Sequence, residues 1–277
     1  MNQIIQLESL RTSVPSLFAT APAASLSSRY AHVTTAEVVE CLTKDGWQIA
    51  SARQSGSRVL ENREHVSHEV RLVLPEINAT PGIRRVGDHV PQIVLGNSSD
   101  GTAALKLFAG LFRFVCLNGM VVGDATVAGI SAVHRGASLQ QQAIEAASNL
   151  RNEFSKVLGV VESWRSVRLD EPRTKEFAHR AAELRWPEIN DPSSGLTVRT
   201  DDLLRRRRYD DNSSDFWTTF NRVQENLLRG GPRVTRKDEG EVFGRMQHAR
   251  RVSSLSVDRS LNQNLWNLAT EFAGGAS

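Results

Sequence analysis

Alternation of apolar and polar residues first becomes regular after residue 46. Trp47, Ile49 and the weaker Ser51 fall on one side of "WQIASARQS" (47–55). Val66, His68, Val70, Leu72 and Leu74 fall on one side of "HVSHEVRLVLP" (65–75). A period of two is the mark of a strand with one buried face. "GSRVLENRE" reads as the hairpin connection between these two strands, and "VPQIVLGNS" (90–98), after the turn-rich "PGIRRVGDH", as a third strand. Helical spacing frames this sheet. Val38, Val39 and Leu42 line one side of "TTAEVVECLTKDG", which Thr34 or Thr35 can cap and Gly46 stops. "SDGTAALKLFAGLFRFV", capped by Ser98 or Ser99 and ended at "LNG", is predicted as a long helix with Leu105, Phe108, Leu111, Phe112 and Val115 inward. The first half is therefore α-β-β-β-α. "SLRTSVPSLFATAPAASLSSRY" (9–30) precedes it as an extended surface arm.

From about Ser138 the pattern turns helical. "SLQQQAIEAASNLRNEFSKVLGVVESWRSV" and "EPRTKEFAHRAAELRW" read as helices, the second started by Pro172. "PEINDPSSGLTV" reads as a loop, and "TDDLLRRRRYDDNSSD" as a short helix and linker. "DFWTTFNRVQENLLRGGP" is a helix entered at Asp215 and left at Gly230, Gly231 and Pro232. Its stripe is Phe216, Phe220, Val223 and Leu227. A polar stretch (232–250) leads to a final helix, "SLNQNLWNLATEFA". The expected fold is α+β: an antiparallel sheet of three or more strands packed by a long helix (1–137, with the N-terminal arm), then a mostly helical region (138–277) packed on that core.

Composition narrows the chemistry. The chain has 277 residues, 40% hydrophobic and 23% charged, with no apolar run near the roughly 20 residues a bilayer requires. "MNQIIQLESL" has no basic-then-apolar pattern, so no signal peptide is expected. Cys41 and Cys116 lack metal or redox spacing and fit buried, reduced thiols of a cytoplasmic protein. The net charge of +3 hides a bias: lysine occurs only at 44, 106, 156, 175 and 237, and every other cation is arginine. Arginine's planar donor fork suits phosphate, although a GC-rich coding genome produces the same bias.

On a helix, Lys106 and Arg113 lie two turns apart and share a face with Ala109 and Gly110 between them, a cationic strip open to a phosphate backbone. The same pair can also snorkel from a partly exposed face. Arg205, Arg206, Arg207 and Arg208 form a run flanked by Asp201, Asp202, Asp210 and Asp211. Both nucleic-acid contact and an internal ion network fit it, and Tyr209 stands ready to stack. Arg53, Arg58 and Arg63 on the first hairpin are further cationic candidates. Asn221, Arg222, Gln224, Glu225, Asn226 and Arg229 crowd the polar side of their helix, where satisfying buried groups is the simpler use. His65 and His68, three apart on a strand, point to opposite faces. No HExxH, cysteine pair, P-loop, Rossmann fingerprint or nucleophile elbow occurs, so neither metal, cofactor nor catalysis is expected.

"RYAHVTTAEVVECL", "GW", "LGNSSDGTAALKLFAGLFRFVCLNGM", "VHRG" and "DFWTTFNRVQENLLRGG" together resemble the phage- and plasmid-borne domain-of-unknown-function family numbered 932. The specific marks are Arg113 to Met120 and Phe220 to Asn226. The resemblance implies a mobile-element protein in the cytoplasm of a bacterial host cell and transfers no catalytic residue. A second likeness, of topology alone, is to Rad-type and Red-beta-type single-strand annealing proteins, which form rings or filaments and hold DNA in a basic groove without ATP. The expected function is single-stranded DNA binding and annealing in phage or plasmid recombination, by a homo-oligomer without a cofactor. The alternative is a non-catalytic phage or plasmid factor that binds a host protein of a defence or restriction system.

Overall fold

The computed structural model describes residues 5–27, 30, 32–57, 59–73, 89–113, 118–121, 145, 147, 157, 159–209, 211–237 and 243–274. The chain divides into two compact units, Met1–Lys156 and Val157–Ser277.

The first unit is an antiparallel meander of five strands in the order β1 (Gln48–Gln54), β2 (His68–Val73), β3 (His89–Asn97), β4 (Lys106–Arg113) and β5 (Asn118–Val121). The first three match the alternation in the sequence, and the connection between β1 and β2 holds a 3-10 helix, Leu60–Glu64. A register shift between Ile49 and Ser51 makes Ala52, not Ser51, follow Ile49 on the inner face of β1. On that face Ile49, Val70, Leu72, Ile93, Leu95 and Leu107 pack against Val38, Val39 and Leu42 of helix α1 (Thr35–Lys44). Leu10, Val14 and Leu17 close the same core. The segment expected as a surface arm is thus an integral layer, wound into two 3-10 turns, Leu7–Leu10 and Pro15–Phe18.

The long helix expected around Lys106 and Arg113 is replaced by β4 and β5. β4 pairs with β3 without a break from His89↔Arg113 to Gly96↔Lys106. "KLFAGLFR" is a nearly continuous apolar run, and periodicity alone does not assign such a run to a strand or a helix. The choice falls to β3, whose outer edge needs partners for its N–H and C=O groups. Without the helix, the two-turn spacing that gave Lys106 and Arg113 a shared face does not arise.

The second unit carries helical residues 159–166, α2 (Glu171–Arg185), α3 (Phe216–Arg229) and α4 (Leu255–Gly274). Trp164 lies at the centre of an aromatic core, its ring 5.3 Å from Phe216, 5.2 Å from Phe220 and 4.6 Å from Trp266. Phe177 and Phe272 extend it at 5.4 Å from each other. Asp170 and Asp215 cap α2 and α3 by accepting from Arg173 N and Thr218 N.

A second sheet in this unit was not legible in the pattern. Its order is β6 (Leu196–Val198), β7 (Arg233–Arg236) and β8 (Arg245–His248), all antiparallel. It arises from the stretches that read as loop and polar linker. Leu196, Val198 and Val234 pack beneath it with Trp186 and Ile189. The rest of the region expected as a long helix from Ser138 lies outside the described residues, save Glu145, Ala147 and Val157, which are helical, and Val167.

Candidate nucleic-acid interface

In the first unit one of the expected cations, Arg53, has another task. Arg53 Nη2 lies 3.1 Å from Glu69 Oε1, and Arg71 Nη2 lies 2.6 Å from the same oxygen, on the outer face of β1 and β2. The Glu69 side chain is fully buried, so this carboxylate needs both guanidinium groups to offset its lost hydration. Arg63 is exposed on the 3-10 turn between β1 and β2, and Lys106 is exposed at the start of β4. Arg58 lies outside the described residues, as does the side chain of Arg113.

His68 is a structural residue. Its ring is buried against α1, where Nδ1–H donates to Val66 O at 3.2 Å and Nε2 accepts from the Thr35 hydroxyl at 2.9 Å. Thr35 in turn accepts from Asn97 Nδ2 at 2.8 Å. The hydroxyl that the sequence offered as a helix cap is therefore spent on the sheet, and α1 has no side-chain cap. Burial pushes the His68 imidazole down to about 4, outweighing the bond to Val66. Among the described residues no group of His, Cys, Asp and Glu side chains gathers to hold a metal ion.

The arginine run of the second unit splits in two. Arg207 Nε donates to Asn226 Oδ1 at 2.6 Å, and its Nη2 donates to Gly230 O. Arg208 pairs with Glu225, which also holds Arg229 at 3.5 Å. Asn226 Nδ2 reaches Leu203 O and Arg205 O at 2.9 and 2.8 Å, tying the run to α3. The dense amide and carboxylate side of α3 is thus an internal frame. Arg205 and Arg206 stay exposed beside Tyr209, which is 84% exposed.

The hairpin of β7 and β8 supplies cations that the sequence reading passed over. Arg233 is clamped by Asp202 through Nε and Nη2 at 2.8 and 2.7 Å. These bonds hold the Asp202 carboxyl at about 2 and fix the base of the hairpin. At the other end Arg236 stands directly opposite Arg245, both exposed, with exposed Lys237 next to them. Like charges directly opposite on adjacent strands destabilise a sheet. Phe243 and Met246 are 87% and 55% exposed on the same hairpin. The signal available was composition alone, Arg233, Arg236, Lys237 and Arg245 around the isolated aromatic Phe243, inside a stretch read as linker. Asp238, Glu239 and Glu241 of the connecting loop lie outside the described residues.

Residues 22–266 match the model of the family described as Domain of unknown function (DUF932). The chain belongs to this family. The UPF0380 protein YafZ of Escherichia coli (strain K12) is 33% identical to it over 266 residues, which is 95% of this chain and 89% of YafZ. The UPF0380 protein YfjQ of the same organism is similar to the same extent, 33% over 266 residues. No solved structure matches the chain. The DUF932 match spans residues of both units, from the N-terminal layer to α4. Among the described residues of this family member, no helix is long and apolar enough to cross a membrane.

Proposed function

We propose that the chain binds single-stranded DNA and promotes annealing, without ATP, for a recombination system of a phage or plasmid in a bacterial cell. The observation that carries this reading is the β7–β8 hairpin. Arg236, Lys237 and Arg245 have no ion pair among the described residues, Phe243 stands exposed on the same hairpin, and Met246, opposite Thr235, is exposed on the other face from the arginine pair. A like-charged cross-strand pair costs stability, and a phosphate between the two guanidinium groups removes that cost. Exposed apolar side chains next to phosphate-binding cations form the composite that unpaired bases need, since every base has a face to stack. Arg205, Arg206 and Tyr209 repeat the combination on the segment leading into α3. In the first unit Lys106 and Arg63 are the exposed members of the expected set.

Fluorescence anisotropy with labelled single-stranded and duplex oligonucleotides, at two salt concentrations and without nucleotide or metal, tests the reading. Salt-sensitive, strand-preferring binding is expected. It should be lost in the triple variant Arg236→Glu, Lys237→Glu, Arg245→Glu with the circular dichroism spectrum retained. Absence of binding at low salt by the unaltered chain refutes the reading and favours a host-protein partner, to be sought as one stoichiometric co-purifying protein.

A further inference from the structure

The face of the second sheet turned away from Leu196 and Val234 is distinct from the one that carries Arg236 and Arg245. Thr197 on β6 sits directly opposite Thr235 on β7, and Thr235 directly opposite Met246 on β8, a row of two hydroxyls and a thioether across the sheet. At the β6 end of this row is a cavity of about 420 Å³ lined by Ile189, Pro192, Leu196, Thr197, Thr235 and Lys237. Two glycines shape it. Gly195 has φ +61°, and a Cβ there would lie 2.1 Å from Lys237 O, while a Cβ on Gly244 would lie 2.6 Å from Thr235 Cγ2. The strand ends therefore close on Thr235 and Lys237 only because neither glycine has a side chain.

The lining is selective by chemistry. Ile189, Pro192 and Leu196 supply apolar surface, and the two threonines supply groups that both donate and accept. Asn190 and one oxygen of the Asp191 carboxylate are already engaged. Asn190 Oδ1 accepts from His179 Nε2 at 2.9 Å, and Asp191 Oδ1 accepts from Ser193 N and Oγ at 2.8 and 2.6 Å. Lys237 adds a positive charge at the rim, with no ion pair among the described residues. A metal ion finds too few carboxylates here, and a purely apolar ligand would strand the threonine hydroxyls. A flat group with apolar faces, a hydrogen-bonding edge and an attached phosphate satisfies all of them.

We propose that this cavity takes one nucleobase of the bound strand, with Thr197 and Thr235 on its polar edge and Lys237 on its phosphate. The inference rests on the single-stranded DNA reading and places one base off the line of the backbone, against the sheet. The probe is a thymine oligonucleotide substituted with 5-iodouracil, photocross-linked to the full chain and mapped by mass spectrometry. Cross-links are expected within residues 187–198 or 235–237. Thr197 is exposed, so Thr197→Trp can fill the cavity without entering the core. It should remove those cross-links and weaken binding about tenfold, with the salt dependence unchanged because no phosphate contact is lost. Thr197→Ser, which keeps the hydroxyl, should bind within about twofold of the unaltered chain. Cross-links confined to other segments, or unchanged affinity of Thr197→Trp, overturn the cavity assignment while leaving DNA binding intact. Failure of the unaltered chain to bind single strands at low salt removes the underlying reading and this one with it.

Discussion

His68 shows how far a residue's meaning depends on its neighbours. The sequence argued against a metal site shared with His65 by placing both on one strand; β2 begins only at His68, and His65 closes the 3-10 turn before it. The structure gives His68 a positive role: a neutral ring bridging Val66, Thr35 and, through Thr35, Asn97. Its folded pKa of about 4 lies below the ordinary 6.5, so the unfolded chain takes up the proton first as pH falls. Stability is then fully present above pH ~6.5, declines through the interval and levels off near pH ~4, a loss of about 3 kcal/mol. Urea titrations at pH 7 and pH 4.5 should show it, and His68→Phe should flatten that part of the pH dependence. The same lesson holds for Arg53. Nothing in "ARQ" announces that its charge belongs to Glu69, because the partner arrives only with the register Arg53↔Glu69.

Helix α3 was the most legible element: Asp215, the stripe of Phe216, Phe220, Val223 and Leu227, and the closing glycines all do what their positions predict. Its amide side acts as a frame, which gives a quantitative expectation. Asn226→Ala removes the partner of two loop carbonyls and of Arg207 Nε. Leaving such buried groups unpaired should cost about 2–3 kcal/mol, read as a lower denaturation midpoint at unchanged slope. The hairpin of β7 and β8 should behave oppositely. Arg245→Thr relieves the repulsion with Arg236 and should stabilise by roughly 0.2–1 kcal/mol while weakening single-strand binding. A gain in stability with undiminished affinity would show that the pair does not hold phosphate. β4 is the element that the sequence misassigned. "KLFAGLFR" has apolar residues at nearly every position, and only the open edge of β3 decides between helix and strand.

For the whole molecule, the modest net charge matters less than which cations are left over. The internal network consumes Arg53, Arg71, Arg207, Arg208 and Arg233. Arg205, Arg206, Arg236, Lys237 and Arg245 remain exposed in the second unit. If these five each meet a phosphate, affinity for single strands should fall roughly a hundredfold between about 50 and 200 mM salt. A slope near zero would mean that the exposed cations are solvated surface.

The sequence by itself determined the alternating strands of the meander, the bounds of α1 and α3, the family, and the lack of any familiar catalytic spacing, because each is written in local period or in a contiguous motif. The tertiary structure alone decided that β4 is a strand, that the N-terminal segment is part of the core, and that a second sheet forms from polar linkers. It also decided which arginines are spent. Those outcomes depend on long-range pairing, where an unsatisfied strand edge or a buried carboxylate selects its partner from residues far away in the chain.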